Sequence, residues 1–134
     1  MTNHAHELAR RFFAALSAGD LPDALLTDDM TAWTTSSGHA EKSRYQRGVA
    51  MLGTIFESGL TFTVDSLTAE ADRLAAEVRS HGTLVNGVPF ENRYLFMLRL
   101  RDGRIASVAE HFDPAPVRDT LAPLLQAAMA PPPG

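Results

Sequence analysis

At Leu60 the apolar residues change their spacing from about four to two, and this switch constrains the fold more than any other feature of the chain. Leu60, Phe62 and Val64 alternate with Thr61, Thr63 and Asp65, the pattern of a strand with one buried face. LAAEVRSHGTLV reads as a second strand, and Asn86-Gly87 is a strong turn signal. FENRYLFMLRLR reads as a third strand, Arg101-Asp102-Gly103 as another turn and RIASVAEHF as a fourth strand. Upstream the period is helical. Leu8, Phe12 and Leu16 mark an amphipathic helix of about four turns that Gly19 stops. Asp20 can cap a short second helix, LPDALL, with Pro22 in its first turn. Met30 to Thr35 reads as a short strand running into a polar loop. Ser43 opens a helix whose stripe is Tyr45, Val49, Leu52 and Phe56, ended by Gly59. Asp113-Pro114 leads into a last helix, Val117 to Met129.

Helices followed by a run of strands predict an α+β domain, with a cone-shaped curved antiparallel β-sheet wrapped by the N-terminal helices, and a C-terminal helix. The mouth of such a cone is a ligand pocket. At 134 residues the chain has room for one core, assigned to residues 1–130, followed by a disordered Pro-rich tail, 131–134. No apolar run approaches the roughly 18 residues of a membrane span, and the N-terminus lacks a signal peptide's order. The absence of cysteine excludes disulfides and thiolate chemistry, and favours the cytoplasm. A net charge of −4 with scattered basic residues argues against a nucleic-acid partner.

AEHFD, residues 109–113, concentrates ionisable groups, but strand parity divides them. A three-residue loop at Arg101-Asp102-Gly103 would pair Tyr94 with Glu110, Asn92 with Phe112 and Phe96 with Val108, all on one face. A two-residue loop would shift pairing by one and place Glu110 opposite Leu95. The first register is preferred, because its face mixes aromatic with a few polar groups, as a pocket does. The other face carries Leu95, Met97, Ala109 and His111 and suits packing against a second subunit. Glu77, Arg79 and His81 share a face of the preceding strand, and alternation does not decide whether it lines the cone. Asp113 reads as a helix cap. His4, His6 and His39 have no metal-site spacing.

These residues and their spacing, in FFAALSAGDLPDALLTDDMTAW and SHGTLVNGVPFENRYLFMLRLRDGRIASVAEHFDP, resemble the SnoaL-like polyketide cyclase and ketosteroid isomerase-like group of the nuclear-transport-factor-two-like superfamily. The resemblance spans roughly residues 5 to 120. It implies the cone fold and leaves activity open among isomerases, cyclases, epoxide hydrolases, dehydratases and non-catalytic binding modules. Ketosteroid isomerases of this type place a tyrosine, an aspartate base and an aspartic acid where this chain has Phe12, Thr34 and Phe96. Limonene-epoxide hydrolases place an arginine and two aspartates where this chain has Arg79, His81 and Glu110. The SnoaL-like pattern, a histidine before glycine with an acid on the last strand, is matched by His81-Gly82 and Glu110.

The reading that follows is a cofactor-independent acid–base enzyme for a small, mostly apolar carbonyl-type substrate. Glu110 is the expected base or acid, raised in pKa by its apolar surroundings, and His81 its partner. Tyr94 and Asn92 would steady developing negative charge. Arg79, Trp33, Tyr45, Phe96, Val108 and Phe112 are the further expected substrate contacts. Each of three has a structural alternative: Arg79 as an ion-pair partner of Glu77, Trp33 as core, Tyr45 as core with its hydroxyl toward the cavity. The rival functions are a non-catalytic pocket or dimerisation module and an epoxide hydrolase. A homodimer through Leu95, Met97 and Ala109 is expected, with no nucleic acid, membrane or metal.

Overall fold

The structure is a computed structural model that describes residues 2–129; the expected tail lies outside the described residues. Helix α1 (Thr2–Ala18) leads through a 3-10 turn (Asp23–Leu25) into strands β1 (Leu26–Thr34) and β2 (Gly38–Glu41). Helix α2 (Lys42–Thr54) follows, then strands β3 (Thr61–Glu70), β4 (Arg73–Thr83), β5 (Pro89–Arg101) and β6 (Arg104–Phe112). The C-terminal helical segment comprises α3 (Pro114–Pro116), a π-helical turn (Val117–Leu121) and α4 (Ala122–Met129).

The six strands form one curved sheet in the order β2-β1-β6-β5-β4-β3. All neighbours are antiparallel except β1 and β6, which run parallel from Leu26↔Ile105 to Thr34↔Glu110. Two expectations are corrected here. LPDALL gives only a single 3-10 turn, because Leu25 and Leu26 are drawn into the core and Leu26 already pairs with β6. The polar loop after β1 turns back at Gly38 and adds the edge strand β2. The C-terminal helical segment begins as expected, with Asp113 as its cap, accepting a hydrogen bond from Ala115 N–H at 3.0 Å, and Pro114 in its first turn.

Helix α1 packs against the sheet through Leu8, Phe12 and Leu16, all buried. It ends in a Schellman motif. Gly19, at φ +70°, donates to Leu16 O, and Asp20 N–H reaches back to Ala15 O. The centre of the core is aromatic. Phe13 meets Phe12 at 5.2 Å and Phe96 at 4.9 Å between ring centroids, edge to face in both pairs. A smaller cluster of Ile55, Phe56, Leu60, Leu84, Phe90 and Leu121 closes one end. Gly82 lies beneath it. A Cβ there would stand 2.9 Å from Phe56 Cδ1 and 3.0 Å from Gly59 O, so packing alone demands glycine after His81.

Candidate active site

A cavity of about 550 Å³ opens between α2, the concave face of the sheet and the C-terminal helical segment. The apolar stripe of α2 turns Tyr45, Val49 and Leu52 into it. Phe62, Tyr94, Glu110 and Phe112 come from β3, β5 and β6, and Val117, Leu121 and Leu125 complete the wall. Glu110 is the one acidic residue among the lining side chains.

The turn before β6 explains why Glu110 faces inward. It has two residues, Asp102 and Gly103 at φ +53° and +76°, and Arg101 pairs with Arg104. Continued unchanged, this register would send Glu110 outward. A bulge intervenes, with Arg99↔Ser107 followed by Leu100↔Ile105, so Ala106 is the extra residue. It returns the alternation to the expected face with pairings Phe96↔Glu110 and Tyr94↔Phe112. The expected pairings of Tyr94 with Glu110, Asn92 with Phe112 and Phe96 with Val108 are therefore each displaced by two residues.

The Tyr45 hydroxyl donates a short hydrogen bond to Glu110 Oε2. Burial pushes the Glu110 carboxyl up from 4.5 to about 7, and the Tyr45 bond only partly opposes this. Burial also raises the Tyr45 phenol well above its ordinary value, helped by the negative charge of Glu110. The Tyr94 phenol is raised too, chiefly by burial, while its bond to Ser80 works the other way. Both phenols thus keep their protons at neutral pH and act as donors. Tyr94 Oη and Ser80 Oγ are 2.6 Å apart.

A carboxyl that keeps its proton to about pH 7 when folded, but releases it near 4.5 when unfolded, makes stability fall with rising pH. The contribution is fully present below about pH 4.5, declines up to about pH 7 and is lost above it. Its size is of order 3 kcal/mol. Urea midpoints measured from about pH 4 to 8 should show this decline, and Glu110→Gln should flatten it.

Several expected site residues lie elsewhere. His81 pairs with Thr61 and Glu91 and is exposed on the opposite face from Glu110, so it is not the partner of that carboxylate. Leu74, Ala76 and Val78 occupy the buried parity of β4, which turns Ser80 inward and its neighbours Arg79 and His81 outward. Arg79 makes a two-nitrogen contact with Asp65, at 2.8 and 2.9 Å, not with Glu77 or Glu110. Glu77 takes a hydrogen bond from Ser66 at 2.7 Å. Asn92 is buried, but its amide is committed to Asp113 O and to Arg93 N–H. Trp33 faces away from the cavity and lies against the His111 ring at 4.8 Å. Phe96 and Val108 belong to the core and not to the cavity lining. Of the expected set the cavity brings together Glu110, Tyr94, Tyr45 and Phe112. Thr34 also lines it.

A family model for the SnoaL-like domain matches residues 9–108. The chain belongs to the SnoaL-like family. No curated protein matches this SnoaL-like chain. Solved structures share its fold at low sequence identity. An NTF2-like protein from Anabaena variabilis superposes with a TM-score of 0.73 at 24% identity, over 84% of this chain and 88% of that one. A Jannaschia protein assigned to the SnoaL-like polyketide cyclases gives 0.72 at 18% identity, over 97% and 94%. An LEH-like epoxide hydrolase from Mycobacterium tuberculosis gives 0.72 at 17%, over 94% and 96%. Among the described residues no helix is long and apolar enough to cross a membrane.

Proposed function

We propose that this SnoaL-like protein is a cofactor-independent acid–base enzyme that moves a proton at a carbon beside a carbonyl group, in a small and mostly apolar substrate. One observation carries the reading: Glu110 is half-buried in the wall of a mostly apolar cavity, held by Tyr45, with its pKa raised to about 7. A base poised near the working pH combines a usable ionised fraction with enough basicity to remove a weakly acidic proton. Tyr45 fixes Oε2, and Oε1, with no other hydrogen bond among the described residues, takes the proton from carbon. The electron pair moves into an enolate whose oxygen accepts a hydrogen bond from Tyr94. Ser80 can donate to the Tyr94 oxygen, which leaves the phenolic proton free for that task. Glu110 then returns its proton to another carbon, which is isomerisation, or the enolate carbon attacks a second carbonyl of the same substrate, whose π electrons move to its oxygen and take the proton back from Glu110, which is cyclisation. A cavity of about 550 Å³ suits a substrate of ordinary metabolite size.

The chemistry can be tested before the natural substrate is identified. A panel of apolar ketones is incubated with the protein in D₂O, and deuterium uptake beside the carbonyl is followed by NMR. Catalysed exchange supports the proposal. Ketones that bind in the cavity without exchanging would refute it. An epoxide-opening reaction by the arginine-assisted route has less support, because Arg79 is engaged with Asp65 on the opposite face and His81 lies exposed there.

A homodimer through the sheet's other face belongs to the same proposal. Leu95 is 46% exposed there, with Met97 and Ala109 beside it. Sedimentation equilibrium at micromolar concentration should return twice the chain mass, and Leu95→Asp should shift it toward one chain. A wild-type monomer would contradict the dimer.

A further inference from the structure

The mouth of the cavity differs from its interior in charge. Arg44 and Arg47 both line it, three residues apart on α2, and both are exposed. Neither has an ion-pair partner within 4.0 Å among the described residues, whereas Arg79, Arg101 and Arg118 each have one. Like charges at this helical spacing repel, so the fold gains nothing from holding them together. Tyr45 and Val49, on the inward face of the same helix, are buried, and the carboxyl of Glu110 is bonded to Tyr45. The cavity therefore has a positive rim, an apolar wall and one proton-transferring group inside.

Gly48 supplies an independent observation. It stands in the interior of α2, where glycine is less favourable than alanine. Gly53, in the same helix, has a packing reason, since a Cβ there would meet Gly19 Cα at 3.4 Å. A Cβ at Gly48 would meet nothing within 4 Å, and Gly48 is an exposed residue that lines the cavity together with Arg44, Arg47 and Met51. The glycine serves no contact of the folded chain and leaves the entrance unobstructed.

We infer that the substrate is an amphipathic anion: an apolar body reaches the Glu110–Tyr45 pair while its acidic group, a carboxylate, sulfonate or phosphate, is held at the mouth by Arg44 and Arg47, with Gly48 keeping the passage open. This rests on the cavity being the substrate site and adds the charge and polarity of what enters it.

Two fluorescent probes with one ring system test it: 8-anilinonaphthalene-1-sulfonate, and N-phenyl-1-naphthylamine, which lacks the sulfonate. The wild-type protein should bind the sulfonate about tenfold more tightly, the scale of two partly exposed charge contacts. Arg44→Gln with Arg47→Gln should abolish that preference and leave the neutral probe unchanged. Arg10→Gln with Arg11→Gln, an equal charge change on α1, should alter neither. Gly48→Leu should weaken both probes. Equal binding of the two probes, binding of neither, or a preference that survives loss of both mouth arginines would overturn the inference. Unweakened binding by Gly48→Leu would overturn the entrance. Equilibrium binding requires no turnover. Absence of deuterium exchange with the sulfonate preference intact would thus refute only the proposed chemistry, and the converse result only the anion.

Discussion

Glu110→Gln is expected to reduce deuterium exchange on any ketone the wild-type protein processes by about 10² to 10⁴-fold, the range for loss of a positioned general base. The substitution is close to isosteric. Its amide oxygen still accepts the Tyr45 hydroxyl, so the cavity keeps its shape and the loss reads in turnover while binding persists. Wild-type exchange should rise with pH through about 7 as the carboxyl ionises, and the residual exchange of the variant should lack that inflection. An activity unchanged by Glu110→Gln would remove this residue from the chemistry.

Phe96→Ala is expected to cost about 3 to 5 kcal/mol, the range for emptying a fully buried aromatic site. Phe96 has no exposed surface and is wedged edge-on against Phe13 and, at 6.2 Å, against Phe12. It projects from the middle of β5 against the rings of α1, so the void would lie between two fixed elements with little means of closing. Against a typical domain stability of about 5 to 15 kcal/mol, this is a large fraction. Thermal unfolding should move down by roughly 10 to 20 °C. A loss under about 1 kcal/mol would show that α1 is not anchored through this cluster. The chain thus uses Phe12 and Phe96 as packing, at two positions where the resemblance to ketosteroid isomerases puts polar catalytic groups.

The long strands and the helix-to-strand order are legible in the sequence because α1 and β4 to β6 each bury one face and β3 half-buries Phe62, Val64, Leu67 and Ala69 against the core, and the period of the apolar residues reports that directly. β2 is not, since Gly38–Glu41 is a short polar edge strand in which half-buried and exposed residues alternate. On β6 a three-residue turn predicts the inward face of Glu110 and Phe112 correctly but for the wrong reason. A two-residue loop and the bulge at Ala106 each shift the alternation by one, and the shifts cancel in parity while moving every pairing by two. Nothing in RIASVAEHF distinguishes the bulged residue.

The β4 contribution is more recoverable. Leu74, Ala76 and Val78 are the apolar members of the strand, so the buried parity already points to Ser80 and away from His81. The histidine is the conspicuous side chain there, yet the group that reaches Tyr94 is the small hydroxyl beside it. The partner of Glu110 emerges only on folding. Tyr45 is 65 residues away, and its helical stripe shows that it points inward without showing what it meets.

The central claim, a cavity carboxyl held ready for proton transfer near neutral pH, is tested most directly by titrating that carboxyl. With ¹³C-labelled glutamate, the side-chain signal that disappears in Glu110→Gln is followed from about pH 4 to 9. A midpoint at about 7, moving higher in Tyr45→Phe as the stabilising hydrogen bond is lost, is the predicted result. A midpoint near 4.5, unmoved by Tyr45→Phe, would contradict it.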